Sequence, residues 1–267
     1  SAVTQPAAIA CGVSRVSAQT DGQYPLYQGR ILHGVQFQKP ELRNKPVLYY
    51  HFNGPVGQVF DMFDQRTTPR NVAVVGLGTG NLGCYKQPNE TWTFYEIDPS
   101  VARIARAPQY FTYLRDCAPD AKVVLGDARL SLTQVPDQQY DLMVLDAYSS
   151  DSIPVHLVTR EALALYLDKL APNGVLLFHI SNRYLDLEPV LAGLAKDAGI
   201  VSLTRNDVDV SAADKELGKS PSHWVVMARD SAALGTLATD QRWQPLRTRA
   251  DVGVWTDDFS SILSVLR

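Results

Sequence analysis

From residue 71 onward, short apolar runs alternate with longer segments whose apolar positions recur at helical spacing. The predicted strands are residues 72–75, 91–97, 122–125, 140–145, 175–180, 200–204 and 224–228, and the predicted helices are residues 99–107, 159–170 and 188–198. Short apolar strands that alternate with helices are typical of a parallel sheet covered on both faces. Only a polar loop joins the last two apolar runs, so we expect that pair of strands to be antiparallel.

Before residue 71 the pattern is different. Polar and apolar residues alternate over residues 12–19 and 24–37, and the turn-forming pair Asp21-Gly22 lies between these runs. Two alternating runs around Asp-Gly predict a β-hairpin. Residues 47–51 could add a third strand, and residues 56–64 are a candidate for a short apolar helix. This part of the chain is therefore predicted to be a small β-domain.

The change of pattern near residue 70 predicts two domains. Residues 67–70, Thr-Thr-Pro-Arg, have the composition of a linker. We place an N-terminal β-hairpin domain at residues 1–70 and an α/β domain at residues 71–267. A length of 267 residues, of which 45% are hydrophobic and 20% charged, fits ordinary folded domains and excludes a disordered chain.

The charge balance narrows the class of partner. The chain has 25 Lys and Arg against 28 Asp and Glu, a formal net charge of −3. A protein that holds nucleic acid through its phosphates needs a basic face, so we expect no nucleic-acid partner. A small cationic ligand is compatible with the same balance.

Cysteine use and hydropathy set further limits. The three cysteines, Cys11, Cys84 and Cys117, form no CxxC pair, so neither a disulfide framework nor a zinc cluster is expected and a reducing compartment is the default. No apolar run approaches the roughly 18 residues of a membrane span. Residues 1–5 lack the features of a signal peptide, and a membrane segment upstream in a parent chain stays open. No histidine pair has metal-ligand spacing, so we predict no metal.

A glycine cluster directly follows the first strand of the α/β domain. Gly76, Gly78, Gly80 and Gly83 allow a sharp turn and a close approach of the backbone to a ligand. The last three also satisfy the dinucleotide fingerprint, so the motif alone does not separate a nicotinamide cofactor from an adenosyl one. The alternative is a tight strand-to-helix turn that binds nothing.

Two carboxylates at strand ends favour an adenosyl ligand. Glu96 ends the second strand, where an acid can accept both ribose hydroxyls. Asp127 follows the third strand and can accept the adenine amino group, while the backbone at Ala128 contacts the ring edge. A dinucleotide site has no comparable use for an acid at the third strand. Asp127 could also cap a helix over residues 128–133, and the two roles are compatible.

The fourth strand ends in a polar segment that begins with Asp146. Carboxyl ends of central strands face the ligand crevice of an open α/β sheet, so we expect Asp146 to lie there, partly desolvated. Tyr148 and Asp151 follow closely, although Asp151 could simply cap a loop. His51 could reach the site or pack in a strand, and His179, inside an apolar strand, is expected to be a packed core histidine.

At this point the chain resembles the spermidine synthase, or polyamine aminopropyltransferase, family. The resemblance rests on the run from Gly76 through Glu96 and Gly126-Asp127 to residues 146–151. It extends to Gly34-Val35-Gln36, similar to the segment whose glutamine contacts the donor. It also includes Tyr49-Tyr50-His51, which stands where the family has Tyr-His-Glu. Spermidine synthase-like domains fused behind bacterial membrane-transporter-like segments are the most similar.

The resemblance implies a fold and a reaction. The fold is the Rossmann-like one of S-adenosylmethionine-dependent transferases, preceded by a small β-domain. The reaction transfers an aminopropyl group from decarboxylated S-adenosylmethionine, a co-substrate rather than a bound cofactor, to a small amine, and releases methylthioadenosine. Asp146 would be the base and Asp151 would position the amine, beside Tyr50, His51 and Tyr148. Gln36 would contact the donor together with the residues that carry the nucleoside site, Gly76, Gly78, Gly80, Glu96, Asp127 and Ala128. A homodimer is also expected. The expected location is cytoplasmic, either for the chain on its own or for the chain as the cytoplasmic domain of a membrane-anchored protein.

Three departures from the family pattern leave the donor open. Thr79 stands where the family has an aspartate in its glycine motif, and Phe52 stands where it has a glutamate. Four residues separate Asp146 from Asp151, and the proline of that motif is displaced to Pro154. Two acids that would hold a cationic aminopropyl tail are therefore missing. Alternatives are methyl transfer, aminocarboxypropyl transfer or donor cleavage with S-adenosylmethionine itself, and a non-catalytic ligand-sensing domain.

Overall fold

Two β-sheets organise the protein in the computed structural model. The structure describes residues 7–9, 12–16, 22–28, 31–66, 68, 70–147 and 154–267. The first sheet has four strands in sequential order, and the second has seven strands with helices on both faces. The boundary between two domains near residue 70 stays a prediction.

The four-stranded sheet is antiparallel throughout and contains the predicted hairpin. Its strands are β1 (Ala7–Ile9), β2 (Gly12–Val16), β3 (Gln23–Gln28) and β4 (Ile31–Phe37). Each strand pairs with the next along the chain. The alternating run 24–37, predicted as one extended segment, divides between β3 and β4. Fourteen residues exceed the length of an ordinary strand, and the segment folds back to pair with itself.

The seven-stranded sheet has the order β10-β11-β9-β8-β5-β6-β7. Its strands are β5 (Asn71–Val75), β6 (Thr91–Glu96), β7 (Lys122–Leu125), β8 (Tyr140–Leu145), β9 (Leu170–His179), β10 (Val201–Asp207) and β11 (Ser222–Ala228). Strands β5 to β9 are parallel, whereas β11 is antiparallel to both β9 and β10. The predicted α/β, Rossmann-like fold with a terminal antiparallel pair is confirmed.

Short helices connect these strands. Their bounds are α1 (Pro40–Arg43), α2 (Pro55–Asp64), α3 (Pro99–Ala105), α4 (Tyr113–Cys117), α5 (Ala128–Leu132), α6 (Arg160–Lys169), α7 (Glu188–Ala198) and α8 (Ala212–Glu216). Side-chain caps set the start of four of them, because the side chains of the N-cap residues accept backbone N–H groups of the first turn. The caps and the residues that donate to them are Asp98 with Ser100, Asp127 with Leu130, Thr159 with Ala162, and Ser211 with Asp214. The helices that follow β6 and β7 therefore begin at residues next to the sheet's carboxyl edge.

Each face of the large sheet carries an apolar core. On one face, α6 and α7 pack against the inward side chains of β8, β9 and β11, among them Met143, Phe178 and Met227. On the other, α2 and α3 pack with Val74, Trp92 and their neighbours. The two cores cover the two faces of the sheet. The carboxyl ends of the strands lie outside both cores, so polar side chains can be placed there.

The segment 47–51 is not the third strand that was expected. Its backbone turns, with the N–H groups of Tyr50 and His51 donating to the carbonyls of Val47 and Leu48. Leu48 has a φ of +57° and makes only a single bridge, to Lys219. A left-handed residue interrupts an extended chain, which is why the strand does not form. The turn is held against the β10–β11 connection instead.

A disulfide joins Cys84 to Cys117. It links the 3₁₀ turn Asn81–Tyr85 to the end of α4. The sequence, from which no disulfide framework was expected, did not predict this pair. The two residues are 33 positions apart, and only the fold brings them together. Disulfides persist mainly in oxidising compartments, so this pair does not support a reducing one. Among the described residues no helix is long and apolar enough to cross a membrane.

Candidate active site

The glycine turn after β5 is shaped by contacts within the protein. Gly76 has a φ of +100°, and a Cβ built on it would lie 2.3 Å from the carbonyl oxygen of Asp146. Gly78 has a φ of +53°, and its Cβ would lie 2.8 Å from the carbonyl oxygen of His33. Gly80 has a φ of +83°, and a Cβ built on it would lie too close to the side chain of Leu114. The turn thus passes close to both β8 and the four-stranded sheet, where side chains do not fit.

Glu96 lies buried across from this turn at the end of β6. Its Oε2 accepts the N–H of Leu77 at 3.0 Å, and its Oε1 accepts the N–H of Asp98 at 2.8 Å. Burial raises the pKa of Glu96, and the two backbone donors oppose that shift. Each carboxylate oxygen keeps a second lone pair, so the group can still accept two hydroxyls.

Asp127 follows the end of β7 and caps α5, which is one of the two roles that the sequence allows for it. Its Oδ1 accepts the N–H of Leu130 at 2.9 Å, and its Oδ2 lies 3.0 Å from Nε2 of His156. Ala128 is buried beside it. The side chain of Ile97, directly after Glu96, is 67% exposed. An exposed apolar side chain between two carboxylates is a surface that a flat heterocycle could cover.

Asp146 follows β8 and lies at the centre of a hydrogen-bond network. Its N–H donates to the carbonyl of Val75 at 2.8 Å, which fixes it to the end of β5. Its side chain is only 4% exposed. Oδ2 accepts the hydroxyl of Tyr50, and Oδ1 lies 2.6 Å from Nδ1 of His179. The expectation that this carboxylate is desolvated at the carboxyl edge agrees with the structure.

Two tyrosines of the turn 47–51 approach Asp146. Burial, followed by the charge of Asp146, raises the pKa of both Tyr49 and Tyr50 well above the ordinary value. Both phenols are therefore neutral at physiological pH, and Tyr50 acts as a hydrogen-bond donor to the carboxylate. The turn that replaces the expected strand is what brings these hydroxyls to the end of β8.

His179 is the residue that the sequence reasoning undervalued. It is buried, as expected, but its partner is the candidate base. Its ring stacks on Tyr49 at 4.5 Å and on Trp224 at 4.4 Å between centroids. Its Nε2 lies 2.7 Å from Oγ of Ser181. The available signal was position, because His179 ends the strand next to β8 and so faces the same crevice.

Gln36 and His51 are held by protein groups. The Gln36 Oε1 accepts the N–H of Thr112 at 2.8 Å, and its Nε2 donates to Thr112 Oγ1 and to the carbonyl of Arg43, both at 2.9 Å. His51 Nδ1 accepts the N–H of Asn53 at 3.1 Å, and burial lowers the pKa of the imidazole. These contacts place Gln36 at the junction of β4 and α4. They place His51 at the end of the turn 47–51.

Two of the three departures from the family pattern, Thr79 and Phe52, have structural counterparts. Thr79 is buried under β4, since a Cβ on Gly34 would lie 2.6 Å from its Oγ1. Phe52 stacks on the ring of His51 at 4.0 Å, and Nζ of Lys45 lies 5.6 Å from the centroid of the Phe52 ring. A cation, rather than an acid, therefore accompanies Phe52.

Some predicted positions lie outside the described residues. Tyr148 and Asp151 belong to the segment 148–153, for which the structure gives no description. Within the described part of the chain, no three His, Cys, Asp or Glu side chains converge as metal ligands. The residues that the structure does bring to the carboxyl edge are Asp146 and Glu96, joined by Tyr50, Asp127 and His179.

Known proteins share both sequence and fold with this chain. A polyamine aminopropyltransferase of Vibrio vulnificus is 34% identical over 113 residues, which are 40% of this chain and 36% of that protein. The match thus spans about a third of the curated relative's length. No protein-family model matches the chain.

Solved spermidine synthases share the fold. A probable spermidine synthase from Corynebacterium glutamicum superposes with a TM-score of 0.65 at 14% identity, over 85% of this chain and 80% of its own. The enzyme of Thermotoga maritima gives 0.57 at 13% identity, over 85% and 72%. A spermidine synthase in complex with the transition-state analogue AdoDATO gives 0.60 at 13% identity, over 85% and 73%. The predicted resemblance and the predicted fold are confirmed.

Proposed function

We propose that this chain is an enzyme that transfers an aminopropyl group from decarboxylated S-adenosylmethionine to a small amine, with Asp146 as the base. The observation that carries the proposal is the buried carboxylate of Asp146, held by Tyr50 and His179 at the carboxyl edge of the sheet. The curated relative is named for this reaction, and the fold is that of spermidine synthases.

The donor's nucleoside would lie between the glycine turn and β7. The ribose hydroxyls would donate to the remaining lone pairs of Glu96. The adenine amino group would donate to Asp127, and the ring would cover the exposed side chain of Ile97. Burial of such apolar surface contributes about 25 cal/mol per Å² of area removed from water, so the ring adds affinity beyond its hydrogen bonds.

The acceptor amine would reach Asp146 from the side opposite the glycine turn. An alkyl ammonium, with a reference pKa near ~10.4, has no lone pair for attack, so it must lose a proton first. Asp146 binds the cation and takes that proton. The nitrogen then forms a bond to the carbon next to sulfur, the carbon–sulfur bond breaks, and its electron pair stays on the sulfur of methylthioadenosine. Asp151, Tyr148 and His51 would position the amine.

A second candidate uses S-adenosylmethionine itself. It is favoured by Thr79 and Phe52 in place of two acids, and by Lys45 near the Phe52 ring. Compared with the family pattern, this end of the site lacks two negative charges and has a lysine nearby. Such a site suits a donor that keeps its carboxylate. Methyl transfer, aminocarboxypropyl transfer or donor cleavage would then follow. A sensing domain would bind such a donor without turnover.

One experiment separates these functions. The protein is incubated with either donor, with and without a series of diamines, and the nucleoside product is identified by mass. Methylthioadenosine that forms only when decarboxylated donor and amine are both present supports aminopropyl transfer. Adenosylhomocysteine indicates methylation. Donor binding without any product indicates a sensor and contradicts the proposal.

The role of Asp146 has its own variant. Asp146→Asn keeps the size of the side chain but removes the base, so we expect donor affinity by calorimetry to persist while turnover falls by at least about 100-fold. Asp258→Asn removes an exposed carboxylate and serves as the matched control. Equal turnover in both variants would remove Asp146 from the base role.

A further inference from the structure

We propose that His179 is a positioning residue for Asp146, and that its Nδ1–H holds the carboxylate aimed at the acceptor amine. The catalytic part of this inference, that Asp146 acts on an amine, rests on the proposed function. The positioning of Asp146 by His179 is argued from the hydrogen bonds and ring contacts of His179. It assigns a role to a side chain at the end of β9 that the sequence reasoning left in the core.

The imidazole is held in one orientation. Tyr49 lies against one face with an interplanar angle of 23°, and Trp224 lies against the other with an angle of 21°. A ring between two aromatic faces cannot turn away from the carboxylate without displacing them. The 2.6 Å separation between Nδ1 and Asp146 Oδ1 is that of a short hydrogen bond.

Ser181 sets which nitrogen carries the proton. The backbone N–H of His223 donates to Ser181 Oγ at 2.8 Å, so one lone pair of that oxygen is used. The hydroxyl proton is then available to Nε2 of His179, 2.7 Å away. With Nε2 as an acceptor, the neutral imidazole has its proton on Nδ1, where it points at Asp146.

The resulting network gives the carboxylate one donor on each oxygen. Tyr50 donates to Oδ2 and His179 to Oδ1. These two bonds stop rotation about the side chain, so the remaining lone pairs point in fixed directions. A base that binds an ammonium and then takes its proton needs lone pairs held in this way.

The order Asp–His–Ser also occurs where serine is a nucleophile. Here Ser181 follows His179 by two residues on the same strand end, and its oxygen is occupied by the N–H of His223. Both features suit a hydroxyl that orients the imidazole. Labelling of Ser181 by a serine-directed fluorophosphonate would overturn this assignment.

Two variants separate a hydrogen-bond role from a packing role. His179→Leu fills the space between the aromatic rings but has no donor, whereas His179→Asn places an amide N–H near the position of Nδ1. We expect kcat to fall about 10- to 100-fold in His179→Leu, with donor affinity unchanged. His179→Asn should recover most of the loss. Equal losses of kcat in the two folded variants would overturn the proposal.

A spectroscopic test does not depend on turnover. Nitrogen-15 shifts of His179 at neutral pH should show a protonated Nδ1 and an unprotonated Nε2, and the opposite tautomer would overturn the proposal. Failure to form methylthioadenosine with any amine would refute the proposed function and leave these nitrogen-15 shifts as the test of His179.

Discussion

Replacement of Gly76 by alanine tests whether the fold and the candidate base depend on the same close contact. Gly76 ends β5 at a φ of +100°, and an added Cβ would lie 2.3 Å from the carbonyl oxygen of Asp146. That distance is well inside van der Waals contact, and the obstacle is backbone rather than a flexible side chain. The change should therefore push the end of β8, and Asp146 with it, away from β5.

The cost has two parts. An L-residue at positive φ costs on the order of 1–2 kcal/mol, and overpacking of a close-packed site costs typically about 1–3 kcal/mol. Together they predict a loss of about 2–5 kcal/mol in the free energy of unfolding. For a chain of this size, each kcal/mol lowers Tm by roughly 2–4 °C, so a fall of about 5–15 °C is expected.

Gly199 provides the matched control. It ends α7 at a φ of +65°, and a Cβ there would meet nothing within 4 Å. Gly199→Ala thus carries the backbone cost without the clash, and Tm should fall by less, about 2–8 °C. Both variants are measured by differential scanning calorimetry, with donor affinity by titration calorimetry. Equal falls in Tm for the two variants would refute the contact between Gly76 and the end of β8.

Three further predictions concern single groups. Tyr50→Phe removes one donor to Asp146 and should lower kcat about 10-fold with little change in donor affinity, as steady-state kinetics would show. Burial raises the pKa of Glu96, so donor affinity should be full above that pKa and fall as pH drops through it. Titration calorimetry of Glu96→Gln should find weaker binding without this dependence. Reduction of the Cys84–Cys117 disulfide, which spans 33 residues, should lower the free energy of unfolding by about 3–4 kcal/mol in urea titrations, and an unchanged midpoint would contradict it.

Features with a local cause could be predicted from the sequence. The strands Lys122–Leu125 and Tyr140–Leu145 and the helix Glu188–Ala198 were predicted to the residue, because apolar runs and cap signals mark their ends. The antiparallel pair at the end of the sheet followed from its polar connection. The placement of Glu96, Asp127 and Asp146 followed from one rule, that parallel strands bring their carboxyl ends to the same edge.

Features that depend on distant residues could not be predicted in this way. The turn 47–51 is apolar and aromatic enough to suggest a strand, but Leu48 adopts a positive φ and pairs with Lys219 across the fold. The Cys84–Cys117 pair depends on how α4 packs against the turn after the glycines. His179 has an ordinary strand environment in sequence, and only the sheet order places it beside Asp146.

The site residues differ in how much the fold alone explains them. The glycine turn is required by its contact with Asp146 and His33, and Asp127 is accounted for as a helix cap, so neither demands a ligand. Asp146 is different. Burial of a carboxylate costs several kcal/mol unless it is paired, and an apolar side chain of similar volume would stabilise a strand end at least as well. Instead the chain surrounds this charge with a phenol, an imidazole and the serine that orients it. A network that is costly for stability and located at the ligand edge is best explained by chemistry on a cationic substrate, which is why the proposed function rests on Asp146 rather than on the glycine motif.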